Sequence, residues 1–177
     1  MTVSLILPTR EYEQSYRGYI EELGREERYP FQLDFEHDDF ASLLQRLEEF
    51  SNGTDIPNGY VPTSTYWLIE ERELVGVSSL RHRMNARIRE CGGHIGLGIR
   101  PSRRMRGLGT RLMSLTLQKA HEAGIGEVHV HCHKDNEASA RMILRNGGVL
   151  RSEVATGDPQ TIVQRYTVQT TDDSAST

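Results

Sequence analysis

The stretch from Gly92 to Gly109, GGHIGLGIRPSRRMRGLG, constrains this chain more than any other. Small and apolar residues from Ile95 to Ile99 read as a strand. Pro101 breaks it, and Gly107 and Gly109 open the apolar-periodic segment TRLMSLTLQKAHEAG, which reads as a helix. A strand, a glycine turn and a helix N-terminus make an anion cradle. The first-turn N–H groups have no partner inside the helix, and glycine lets a ligand reach them. Five arginines between Arg100 and Arg111 add positive charge suited to a pyrophosphate. No Gly-Lys-Ser/Thr ending is present, which excludes a P-loop, and Gly107-x-Gly109 lacks the third glycine of a dinucleotide fingerprint. An ordinary turn with solvated arginines is the alternative.

The sequence downstream separates these readings. An alternating strand spans Glu127 to His133, and Asn136-Glu-Ala-Ser139 opens a helix that ends at Asn146-Gly147-Gly148. With these residues in place the chain resembles the GNAT acetyltransferase superfamily over about Gly92 to Val154. Arg104-Met-Arg-Gly107-Leu-Gly109 is similar to that superfamily's acetyl-CoA pyrophosphate loop, Asn136 to its pantetheine-contacting Asn, and Gly147-Gly148 stands where Gly-Phe is common.

The resemblance implies an α/β (α+β) fold: a mixed, mostly antiparallel central sheet of six or seven strands, flanked by about four helices and splayed between its two central strands. It implies acetyl-CoA as co-substrate. The backbone of Leu97, Gly98 and Ile99 would hold the pantetheine arm. Arg104, Met105, Arg106, Gly107, Leu108, Gly109 and Thr110 would hold the pyrophosphate, and Asn136 and Ser139 would complete the site. Gly96 and Gly98 leave room for a ligand beside the strand. The expected reaction is direct attack of an amine on the thioester in a ternary complex, which needs a neutral amine and a protonated leaving thiolate.

The family's general-acid Tyr, seven residues after the Asn, is Ile143 here, so Ser139 or Tyr166 is the candidate acid. His94 is the candidate base, because an imidazole titrates near neutrality; a structural histidine is the alternative. His129, His131 and His133 alternate along one strand and share a face. His131 or His133 would reach the splay, whereas a metal-dependent hydrolase would use all three as ligands. The superfamily needs no metal, and none is expected. A non-catalytic CoA-binding module is the remaining alternative.

Upstream, Val3–Leu7 reads as a strand, and Tyr12, Tyr16, Tyr19, Ile20 and Leu23 share a helical face. Such a stripe packs a core, although tyrosines on it can also line a substrate pocket. The loop from Tyr29 to Asp39 mixes aromatics with acids. Asp38 or Asp39 is expected to cap the next helix, while Asp34 and Glu36 are the candidate selectors of a small cationic amine. Thr65–Ile69 and Leu74–Leu80 read as a hairpin, and Trp67 belongs to the core or to the acceptor site. Arg81–Arg89 reads as a solvated excursion.

Composition narrows the class. Apolar residues make up 36% and charged residues 26% of 177, which favours a globular domain; residues 1–169 are expected to form a single one, with a disordered tail over 170–177. A net charge of −4 argues against general nucleic-acid binding. No signal peptide or membrane span is readable, and two cysteines suggest reduced thiols, hence a cytoplasmic protein. The expected partner is a small-molecule or peptide amine, with no nucleic acid and no membrane; a homodimer is compatible with the resemblance.

Overall fold

The computed structural model describes residues 2–157 and 160–171. These form seven strands and five α-helices: β1 (Val3–Ile6), α1 (Glu13–Leu23), α2 (Phe40–Asn52), β2 (Thr63–Glu70), β3 (Glu73–Arg81), α3 (Ala86–Glu90), β4 (Ile95–Ile99), α4 (Leu108–Glu122), β5 (Glu127–His133), α5 (Glu137–Arg145), β6 (Val149–Thr156) and β7 (Thr161–Gln169). The expected mixed, antiparallel architecture is observed, and the splay divides it into two ladders, β1-β2-β3-β4 and β5-β7-β6.

Local chemistry sets the boundaries. Asp39 caps α2, its carboxylate accepting from Ala41 N at 3.1 Å, and Gly53 ends that helix in the left-handed region. The β2–β3 turn is two residues long, with positive φ at both Glu71 and Arg72, the twist that tight hairpins require. The solvated stretch Arg81–Arg89 contains a short helix. Asn85 accepts from Ile88 N at 2.9 Å and starts α3, which buries Ile88.

Both faces of the first sheet are covered. On one side the tyrosine stripe of α1 packs with Phe40, Leu43 and Leu47 of α2 against Trp67, Ile69 and Val77. On the other side α4 presents Leu108 and Leu112 to Leu68 and Val75, then Met113, Leu117 and Ala120 to Ile95, Val128 and Val130. α4 therefore spans the gap between the ladders. Burial of these apolar faces, at roughly 25 cal/mol per Å² removed from water, is the main force holding the halves together.

Among the described residues, the main-chain hydrogen bonds between the ladders lie just before β4. His94 N donates to His129 O at 2.7 Å, and Gly93 forms an isolated bridge with Val130. Beyond this point β4 and β5 separate: among the described residues β4 is paired with β3 alone and β5 with β7 alone. Thr170 closes the far end of β5 through bonds to Ile125 O and Gly126 O. Most of the tail expected over 170–177, residues 172–177, lies outside the described residues.

Candidate active site

The gap between β4 and β5 opens into a cleft of about 670 Å³, within the range of small-molecule sites. One wall is Leu97, Gly98 and Ile99 of β4, the opposite wall His131, Cys132 and His133 of β5, and Asn136 and Ser139 stand at the head of α5. Arg104 lies at the same cleft. Residues separated widely in sequence thus converge on one space.

Each is held for a local reason. Asn136 caps α5, its Oδ1 accepting from Ser139 N at 3.1 Å, which leaves the amide NH₂ as a donor on the cleft wall. Arg104 Nε donates to Ile99 O at 3.0 Å, and its Nη groups pair with both oxygens of Glu26 at 3.2 and 2.7 Å. This pairing holds the Glu26 carboxyl below the usual carboxylate range. Gly107 begins α4 at φ +76°, and a Cβ there would meet nothing within 4 Å. The N–H groups of Leu108, Gly109 and Thr110 behind it are free of helical partners by position.

Of the expected pyrophosphate residues, Arg104 lines the cleft, whereas Arg106, Gly107, Leu108, Gly109 and Thr110 do not; the space beside Gly107 and the first-turn N–H groups suit an anion. Met105 is 96% exposed and makes no wall of its own. The loop's positive charge is moderated in a way composition does not show, because Arg100 pairs with Glu22 and Glu73, Arg103 with Glu73, and Arg106 with Glu70.

The histidines fall in different places. His94 is 6% exposed, and its Nδ1 accepts from His129 N at 2.9 Å, so it pins β4 to β5 rather than lining the cleft. With Nδ1 engaged by a donor, the neutral ring carries its proton on Nε2 and has no free lone pair. Burial, then His129 and Arg81, push its pKa down to about 4. These features oppose the base role expected for His94. His131 lines the cleft in the same tautomer: Nδ1 accepts from Gly92 N at 2.9 Å, and Nε2, buried, has no partner. Burial, then His129 and Arg165, push its pKa down to about 4, so the ring is neutral, with its Nε2–H left as a donor. His133 lines the cleft in an exposed position.

Other expected residues lie elsewhere. Tyr166 is buried in the core under α4 and α5, its hydroxyl donating to Gln164 Oε1 at 2.9 Å, away from the cleft. Trp67 is 1% exposed and stacked on Tyr16 at 5.5 Å. Glu36 accepts from His37 N and Asp38 N and so shapes its own loop. Neither it nor Asp34 lines the cleft. Among the described residues no group of three or more His, Cys, Asp or Glu is arranged to hold a metal ion.

The wall contributed by α1 and the loop after it is Tyr19, Leu23, Glu26, Glu27 and Tyr29; the sequence allowed the α1 tyrosines a pocket role and pointed to the loop that begins at Tyr29, but not to Leu23, Glu26 or Glu27. Tyr19 belongs to the tyrosine stripe, yet its buried hydroxyl has no partner and would stand 3.4 Å from a Cβ on Gly98. Burial raises its pKa, so it stays protonated. Tyr29 lies along β4, its carbonyl 2.4 Å and its hydroxyl 2.9 Å from Cβ positions on Gly98 and Gly96. The space those glycines leave is taken by tyrosine.

Comparison with known structures agrees with this geometry. The chain superposes on a ribosomal-protein alpha-N-acetyltransferase in complex with coenzyme A (TM-score 0.70, 16% identity, 96% of this chain and 94% of that one). It also superposes on yncA from Salmonella typhimurium with its cofactor acetyl-CoA (0.63, 14%, 99% and 98%), and on a spermidine N-acetyltransferase chimera from Vibrio cholerae (0.65, 15%, 96% and 97%). At these identities the likeness is one of fold. A sequence comparison with curated proteins finds no match. The model of the acetyltransferase (GNAT) family matches residues 20–147, from α1 through the glycine loop to the end of α5. By that match, and by the cleft it encloses, the chain is an acyltransferase that belongs to the acetyltransferase (GNAT) family.

Proposed function

We propose that this protein transfers the acetyl group of acetyl-CoA to a primary amine by direct attack in a ternary complex. The observation that carries the reading is the convergence of Leu97–Ile99, Asn136, Ser139 and Arg104 on one cleft. When bound, acetyl-CoA supplies an activated acetyl thioester. The residues around it supply donors and a proton path.

Negative charge on the acetyl oxygen needs a fixed donor, and the Nε2–H of His131 is one, held in its tautomer by Gly92 N. The departing thiolate needs a proton. Tyr19 replaces Ser139 and Tyr166 as our choice of donor, because its hydroxyl is protonated, unpartnered and beside Gly98. The ammonium must lose a proton before it attacks, and His133 and Glu27 are bases on the wall whose side chains make no hydrogen bond among the described residues. Glu27 also gives an incoming ammonium a carboxylate partner, the role expected of Asp34 and Glu36.

The test is release of free CoA thiol from acetyl-CoA over a panel of amines and short peptides. With any accepted amine, Tyr19→Phe is expected to lower kcat by about 10²-fold. Loss of the neutral-pH limb of the rate profile in His133→Gln, and its retention in Glu27→Gln, would identify His133 as base; the reverse identifies Glu27. CoA binding with no turnover of any amine would replace this reading with that of a non-catalytic CoA-binding module.

A further inference from the structure

Outside the cleft, the open face of the second sheet carries a cavity of about 190 Å³, lined by Arg89, His129, Arg151, Ser152, Arg165, Tyr166 and Thr167. Three permanent positive charges line it, with no carboxylate, in a chain whose net charge is −4. The glycine-loop arginines at 100, 103, 104 and 106 are each paired with a glutamate. Among the described residues, the three at this cavity have no such pair.

Two of them are also anchored. Arg165 Nε donates to Ser152 Oγ at 2.8 Å and Arg151 Nε to Thr167 Oγ1 at 2.9 Å, so each guanidinium is fixed at its inner nitrogen. Their Nη groups have no partner among the described residues. The nearby carboxylate, Glu127, is occupied by His129 Nε2 at 3.5 Å and by Gln169. Paired, preoriented guanidinium forks suit an anion bound through two oxygens.

The cavity adjoins the cleft. Register pairs Arg165 with His131 and Thr167 with His129, and opposed residues share a face. The ring of His131, on the cleft wall, is 6.5 Å from that of His129, at the cavity. We infer that this cavity receives a carboxylate or phosphate carried by the acceptor, so that the substrate is a small acidic amine whose amino end lies in the cleft. The acceptor assignment rests on the reading above; the anion site itself does not.

Two measurements at constant ionic strength test it. The first is calorimetric titration with inorganic phosphate and with succinate, on wild type, Arg165→Gln, Arg151→Gln and the remote control Lys119→Gln. Binding of either anion is expected in the wild type and the control, weakened at least 10-fold in both arginine variants. The second compares turnover of acidic amines with that of uncharged partners, phosphoethanolamine against ethanolamine and glutamate against its diamide. The acidic member is expected to have the higher kcat/KM by at least 10-fold. Arg165→Gln is expected to raise its KM by that factor with kcat within about threefold.

Anion binding unchanged by both arginine substitutions overturns the site. Arginine-dependent anion binding with no preference for acidic amines overturns the acceptor assignment and leaves an effector site. If acetyl-CoA fails to bind while the anions still do, the acetyl-transfer reading falls and the anion site stands.

Discussion

Lowering the pH to 5 tests how His94 and His131 hold the two ladders together. Both are neutral in the fold, with pKa values pushed from 6.5 to about 4. Between pH 6.5 and 4 the unfolded chain binds protons that the folded chain refuses. Stability present above pH 6.5 is therefore lost as the pH falls towards 4. For one such histidine the linkage relation gives about 2 kcal/mol lost between pH 7.5 and 5. Discounting for the partial exposure of His131, the pair contributes roughly 3 kcal/mol. His82, lowered by burial and Arg83, acts in the same direction. The lowered carboxylates, such as Glu26, Glu36 and Asp39, lose their contribution only below about pH 4.5 and leave this window clear.

Urea unfolding at the two pH values is the assay. At an m-value of about 2 kcal/mol/M the midpoint should fall by more than about 1 M. His94→Asn keeps an acceptor for His129 N but cannot titrate, so the pH 7.5-to-5 loss should shrink by about 2 kcal/mol. A wild-type midpoint that does not move, or a variant with the wild-type pH slope, would refute the neutral-clamp account of His94.

Other substitutions follow from single contacts. Gly98→Ala places a methyl 2.4 Å from Tyr29 O, so it should cost about 1–3 kcal/mol by chemical denaturation and raise the acceptor KM as the loop shifts. Tyr19→Phe removes an unpartnered buried hydroxyl, so stability should hold within about 1 kcal/mol in the same unfolding assay even as kcat falls. Asp34→Lys should leave the acceptor KM unchanged in steady-state kinetics, because the residue does not line the cleft.

What the sequence made legible was local. Asn136 announces a helix start because its side chain caps within three residues, and Gly107 marks a left-handed turn that other side chains strain to adopt. Alternation placed His129, His131 and His133 on one face, as observed. The rest depends on chain segments brought together from afar. Glu26 meets Arg104 across 78 residues, and no spacing rule reports such a pair. An imidazole's ordinary pKa made His94 a candidate base but could not show that its Nδ1 was already engaged by β5. The gap beside Gly96 and Gly98 was readable; that Tyr29 fills it was not.

The most direct test of the cleft as a cofactor site is calorimetric titration of acetyl-CoA into wild type and Gly107→Glu at two salt concentrations. The substitution meets open space, and its left-handed φ costs about 1 kcal/mol, so the variant should fold. Binding in the wild type that weakens with salt, and loss of binding in a folded Gly107→Glu, is the expected result. A wild type that binds no acetyl-CoA, or a variant that binds it equally well, would contradict the assignment of this cleft.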